Sequence, residues 1–304
     1  MTYNFFDNIE INIPEVKNNV LKNKIKYSKS LFPKLDLICN ILVHLSGVSK
    51  EFVYSYFFAK WFEEFNIFWS KILKGRPIDI FDFHFLRGMY RVKFQSVRNI
   101  NESNNNNFLK AWNSNESLYL LFSNIWSYAK SGYLNFLPFY LKLPKHGKVL
   151  EYGCGIAPFT TGMLKYFPSK KFDYEISDIL QINFLYAIFR LSNQKNVKYR
   201  ILQPYNNTVE KNNYSVIICQ TVLEHIPNPL KVVKSFFNGL GDNGVLVFDY
   251  IKGEAEGLDS KKSVQEREKT LEYIKNNFIL IKGKIEIEKS VGLCVVKKRK
   301  TISH

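Results

Sequence analysis

From residue 148 onward, short apolar runs of strand length alternate with longer amphipathic stretches. Runs at 148–152, 172–177, 197–202, 215–220 and 244–251 read as strands bounded by turn residues. Between and after them, 159–167, 182–191, 229–240 and 263–276 place apolar residues at helical spacing. The runs at 278–287 and 291–297 read as a closing pair of strands. Strands alternating with helices of this length predict parallel βαβ units. The expected class is α/β, a Rossmann-like, doubly wound, mostly parallel sheet.

The first half has a different rhythm. At 35–45, Leu35, Ile38, Ile41, Leu42 and Leu45 recur at helical spacing. The stretch 52–68 is crowded with Tyr54, Tyr56, Phe57, Phe58, Trp61, Phe62, Phe65 and Phe68. It predicts a packed helical core, with an aromatic-lined substrate cavity or a dimer surface as the alternative. An asparagine-rich loop is expected over 101–107. A further amphipathic helix follows over 117–133, carrying Leu118, Leu121, Phe122, Ile125, Trp126 and Tyr133. Pro138 and Pro144 punctuate the approach to the second half. The chain thus divides into an N-terminal helical domain, 1–145, and an α/β domain, 146–304. The helical part is expected to act as a lid, a substrate-binding or a dimerisation domain.

Composition changes this picture little. With 304 residues, 46% of them hydrophobic, the chain can bury a sizeable core. A net charge of +16 invites an anionic partner, yet its distribution is even. Residues 1–146 hold 19 basic and 11 acidic side chains and the remainder 24 and 16, so each part carries +8. The cluster Lys297, Lys298, Arg299, Lys300 reads as a solvated strand end rather than a nucleic-acid contact. Nucleic acid is therefore not the favoured partner. Cys39, Cys154, Cys219 and Cys294 are too scattered for a zinc site and suit reduced thiols in a cytoplasmic protein. No signal peptide and no membrane span are expected.

The sharpest chemical signal is Val149, Leu150, Glu151, Tyr152, Gly153, Cys154, Gly155: an apolar strand ending in an acid, then a glycine turn that opens a helix. Glycines there permit a tight turn and let a ligand approach the backbone. A dinucleotide site would want a third glycine where Pro158 stands, and a phosphate loop would want Gly-Lys-Ser/Thr. The acid before the first glycine suits a ligand with a cationic amine.

This run resembles motif I of class I S-adenosylmethionine-dependent methyltransferases. Val222, Leu223, Glu224, His225, Ile226, Pro227, after the strand at 215–220, resembles the Leu-Glu-His signature of many members. The resemblance covers about half the chain, from 148 to about 300, and implies S-adenosylmethionine as cofactor. It implies Gly153, Cys154 and Gly155 beside the methionine and ribose, with Ala157 where a third glycine often stands. Glu151 would hold the methionyl amine. An acid at the end of the second strand would grip the ribose hydroxyls. Asp178, followed by Ile179, fits better than Glu175, because it ends the apolar run Phe172, Tyr174, Ile176. The adenine would meet Gln203 or its neighbour Leu202. Gln220, Thr221 and Leu223 would lie under the cofactor. His225 is the candidate general base, ahead of His44 and His84.

The expected acceptor is a small-molecule or sugar-like metabolite, entering past Trp126, Tyr128 and Tyr133. An RNA or protein acceptor, and a non-catalytic scaffold, are the alternatives. The aromatic surplus suits a homodimer interface as well as a pocket. No metal cluster is expected.

Overall fold

The computed structural model describes residues 11–23, 60–95, 101–130, 143, 145–253 and 257–299. The predicted helix at 35–45, the first part of 52–68, and His44 and Tyr133 lie outside them.

Among the described residues, five α-helices precede the sheet: α1 (Ile13–Lys22), α2 (Lys60–Ile67), α3 (Ile80–Phe94), α4 (Asn105–Trp112) and α5 (Leu118–Lys130). The described aromatics of α2 pack as core. Phe65 meets Phe83 and Phe122 edge to face, each at 5.2 Å, and Phe68, in the π-helical turn Phe68–Ile72 that follows α2, meets Tyr186 at 5.1 Å. The loop expected over 101–107 is corrected: it ends at Asn104, whose side chain accepts the Asn107 N–H at 2.9 Å and caps α4. Asparagine is as good an N-cap as a loop former. Phe108 and Trp112, four residues apart, then give α4 its buried face.

The sheet begins with β1 (His146–Tyr152) and continues α6 (Pro158–Tyr166), β2 (Lys171–Ile179), α7 (Ile182–Leu191), β3 (Val197–Leu202), β4 (Tyr214–Cys219), α8 (Pro229–Gly239), β5 (Leu240–Tyr250), α9 (Lys261–Asn277), β6 (Phe278–Lys282) and β7 (Val291–Lys298). Its order is β3-β2-β1-β4-β5-β7-β6. The first five strands run parallel, and β7 runs antiparallel to β5 and β6. The strand expected over 278–287 stops at Lys282, because Gly283 turns the chain at φ +97°.

Val149, Leu150 and Tyr152 are buried between two helical layers, which explains why both faces of this central parallel strand carry apolar residues. One apolar cluster runs from α1, α2, α3 and α5 through α7 to Ile156 in the glycine loop. An ion pair, Arg190 to Glu64 at 2.7 Å, ties α7 to α2. The chain reverses direction of winding between β1 and β4, and this switch opens a crevice at the carboxyl ends of the strands. No described helix is long and apolar enough to cross a membrane.

Candidate functional site

The crevice is built first by the glycine loop. Gly153 and Gly155 adopt φ of +61° and +51°. A Cβ on Gly153 would lie 2.3 Å from Cγ2 of Val222, so the loop after β1 closes directly on the loop after β4. Ala157 also sits at positive φ, +53°, as the N-cap of α6, with Pro158 following. Alanine has no oxygen with which to cap. Glu151 supplies it from β1: its Oε1 accepts the Phe159 N–H at 2.9 Å and its Oε2 the Thr160 N–H at 2.8 Å. Those are donors that a helix start leaves unmet. Burial pushes the Glu151 pKa up to about 7, against the lowering effect of the Thr160 and Phe159 hydrogen bonds. Each carboxylate oxygen keeps a lone pair for a ligand.

Asp178 closes the other side of the loop. Its Oδ2 accepts the Gly155 N–H at 2.7 Å, and its Oδ1 accepts from Ile179 N–H at 2.7 Å and Gln181 Nε2 at 3.1 Å. Burial raises its pKa to about 6, with those three hydrogen bonds opposing. Three of four lone-pair sites are taken, so one is open to a hydroxyl, and Gln181 is the longest bond to yield for a second. Glu175 is committed elsewhere, to Arg200 at 2.7 Å and the Tyr214 hydroxyl at 2.6 Å.

On the far side of the switch, Thr221 stands at φ +50°, its N–H held by Asp249 Oδ1 at 2.6 Å. A short 3-10 turn, Leu223–His225, then presents His225. His225 Nδ1 lies 3.0 Å from the Leu258 carbonyl and 3.1 Å from Asp259 Oδ1. Both neighbours are acceptors, so Nδ1 carries the proton. Nε2 is 3.9 Å from Glu224 Oε1, beyond hydrogen-bond reach. Burial alone would lower the His225 pKa, but the Asp259 hydrogen bond and the charges of Glu224 and Asp259 outweigh it and hold it above the ordinary histidine value. A Cβ on Gly253 would fall 2.1 Å from Asp259 Oδ2, so glycine makes room for that carboxylate.

These groups share one cavity of about 550 Å³, within the span of roughly 300–1,000 Å³ usual for small-ligand and cofactor sites. It brings together Glu151, Gly153, Cys154, Gly155, Asp178, Ile179, Gln220, Thr221 and His225. Leu202 lines it too. Four expected residues stand off it. Gln203 is exposed, turned outward by a bridge to Asn206, while Asn207 lines the cavity with its Oδ1 unpartnered among the described residues. Ala157 and Leu223 are buried in the core beneath the lining. Trp126 packs against His84, at 4.5 Å, and Trp61, at 5.9 Å, inside the helical layer. Instead α5 offers Leu120 and Asn124 to the cavity, and α3 and α4 offer Phe94, Phe108 and Trp112. The Tyr128 side chain and Tyr133 lie outside the described residues.

The described lining contains neither lysine nor arginine. A diphosphate would find no lysine or arginine there, whereas an ammonium and ribose hydroxyls find two carboxyl groups. That donor set fits S-adenosylmethionine. The sequence signals for Asp249 and Asn207 were present, an acid ending an apolar strand and an amide just past β3. Trp112 and Asp259 carried none.

A family profile described as methyltransferase domain matches residues 125–278, half of the chain. The tRNA U34 carboxymethyltransferase of Campylobacter jejuni is 30% identical over 112 residues, 36% of this chain and 37% of that protein. The chain thus spans a little over a third of that relative's length. Among solved structures, N-methyltransferase NodS from Bradyrhizobium japonicum, in complex with S-adenosyl-L-homocysteine, aligns with a TM-score of 0.42 at 11% identity, over 57% of this chain and 88% of that one. The PH0226 protein from Pyrococcus horikoshii aligns with a TM-score of 0.42 at 17% identity, over 63% and 96%.

Proposed function

Because the chain belongs to the class I S-adenosylmethionine-dependent methyltransferase family, we propose that it methylates a hydroxyl of a small-molecule acceptor. The observation that carries this reading is the single cavity that gathers Glu151, Asp178 and His225 at the strand switch. S-adenosylmethionine held there would supply an electrophilic sulfonium methyl, with the neutral thioether as its leaving group.

The protein's own groups do the rest. Glu151 would meet the methionyl ammonium with its spare lone pairs. Asp178 would take a ribose hydroxyl with its open lone pair. His225 Nε2 accepts the acceptor's hydroxyl proton while the new O–CH3 bond forms, and later releases it to solvent. Asp259 is a positioning residue: it fixes the tautomer that leaves Nε2 basic. The enclosing apolar walls hold the acceptor in line and keep water out.

Calorimetric titration with S-adenosylhomocysteine tests the core of this reading. Wild type should bind, and Asp178→Ala should bind at least tenfold more weakly. A well-folded wild type that does not bind overturns it. A tRNA acceptor is the second reading, favoured by the charge of +16 and the partial likeness to a tRNA-modifying relative. It predicts tRNA binding that weakens steeply with salt; the small-molecule reading predicts none that depends on the cavity.

A further inference from the structure

The glycine loop is also held from the helical layer. Asp178 fixes its Gly155 N–H, and Glu151 fixes the start of α6. Between these two points the Ile156 carbonyl accepts from Arg190 Nη1 at 3.4 Å. Arg190 belongs to α7 and is 6% exposed. Its guanidinium lies 2.7 Å from Glu64 of α2 and 5.4 Å from the ring centroid of Tyr186, one turn back on α7. The Tyr186 hydroxyl donates to the same Glu64 oxygen at 2.9 Å. Glu64 thus sets the guanidinium, and a planar fork held at one edge has its other edge fixed too.

Stability alone does not explain this arrangement. The trio adjoins the apolar cluster that joins α1, α2, α3, α5 and α7 to Ile156. An apolar set of similar volume would hold those layers together at least as well. It would not hold a carbonyl of the loop, nor set a positive charge near Glu151. That charge opposes the burial that raises Glu151, and so favours the carboxylate that a methionyl ammonium needs. Resting on the methyl-transfer reading above, we propose that Arg190, set by Glu64, is a positioning residue for the methionine end of the cofactor, so that seating of α2 and binding of that end are coupled. The coupling acts on the amino-acid end because Arg190 works through Glu151 and the peptide that leads into α6.

The test uses the full chain and two probes, S-adenosylhomocysteine and methylthioadenosine, which keeps the adenosine and the thioether and lacks the amino-acid end. Glu64→Gln keeps the side chain's shape and removes its charge. By calorimetry it should weaken S-adenosylhomocysteine by about fivefold or more and methylthioadenosine by less than about twofold. A merely structural loss would weaken both alike. Linkage is reciprocal, so in wild type S-adenosylhomocysteine should slow amide hydrogen exchange over α2, and methylthioadenosine should slow it less. This readout stands even if Glu64→Gln fails to fold. Unchanged S-adenosylhomocysteine affinity in Glu64→Gln, equal loss of both probes, or α2 exchange that S-adenosylhomocysteine leaves unaltered overturns the inference. A wild type that takes up neither probe overturns the underlying reading instead.

Discussion

Replacing Gly153 by alanine should damage the fold more than any other single methyl added to the glycine loop. Two costs are separable. The backbone stands at φ +61°, where an L-residue with a Cβ loses about 1–2 kcal/mol. The new Cβ would also lie 2.3 Å from Cγ2 and 2.7 Å from Cγ1 of Val222, and forcing a methyl into such a contact costs about 1–3 kcal/mol. The sum, about 2–5 kcal/mol, is a large part of the stability of an ordinary domain. Urea denaturation of the ligand-free protein measures it, and a double-mutant cycle with Val222→Ala divides it. Truncating Val222 removes both clashing atoms and leaves the backbone cost in place. The double variant should therefore be more stable than the summed single losses by about 1–3 kcal/mol. Strict additivity, or a Gly153→Ala loss below about 1 kcal/mol, would refute the claim that the loops after β1 and β4 are locked together at this glycine.

Gly155→Ala should do the reverse. Its Cβ would meet only Asn124 Nδ2, at 3.9 Å, so folding loses about 1–2 kcal/mol while the methyl projects into the cavity; S-adenosylhomocysteine affinity should drop at least tenfold by calorimetry, and unchanged affinity would place the cofactor elsewhere. The pH dependence of stability should also be unusual. Burial raises Glu151 and Glu224 from 4.5 to about 7 and Asp178 and Asp249 from 3.8 to about 6. Between about pH 4 and 7 the folded state then holds more protons than the unfolded chain, and stability falls as pH rises, by about 3 kcal/mol for Glu151 alone. At high salt, where surface repulsion is screened, the melting temperature of ligand-free protein should decline from pH 5 to 7.5; a rise over that window contradicts the burial argument. Asp259→Asn removes the charge that holds His225 up, so the His225 pKa followed by NMR should fall, and Gly253→Ala, which would press a Cβ onto the same carboxylate, should move it in the same direction. An unmoved titration would remove Asp259 from its positioning role.

What could be read from the sequence divides along a physical line. The glycine loop carries its cause within nine residues: an apolar strand, an acid, two positions forced to positive φ, and a helix start. Such a pattern survives without knowledge of neighbours. Asp178 was legible for the same reason, since it ends a buried run. The helix α4 was not, because asparagine stabilises loops and helix N-caps by the same side-chain acceptance of a backbone N–H, and only the packing of Phe108 and Trp112 decides between them. Gln203 and Asn207 are both amides just past β3. The reverse turn that brings the Asn206 N–H to the Gln203 carbonyl at 3.1 Å sends the first outward and the second inward. Trp126 and Trp112 both lie on amphipathic helices. Periodicity identifies an apolar face but not the element that covers it, and Trp61 and His84 already cover Trp126. The acceptor end is assembled from α4, the turn after β4 and the loop before α9, segments more than a hundred residues apart at their extremes. Each contributes one or two side chains, so no local pattern marks them. The cofactor half of the cavity is a single continuous motif, whereas the half that chooses the acceptor is a meeting of distant parts. For that reason the family was legible in the sequence while Trp112 and Asp259 emerged only from the packed structure.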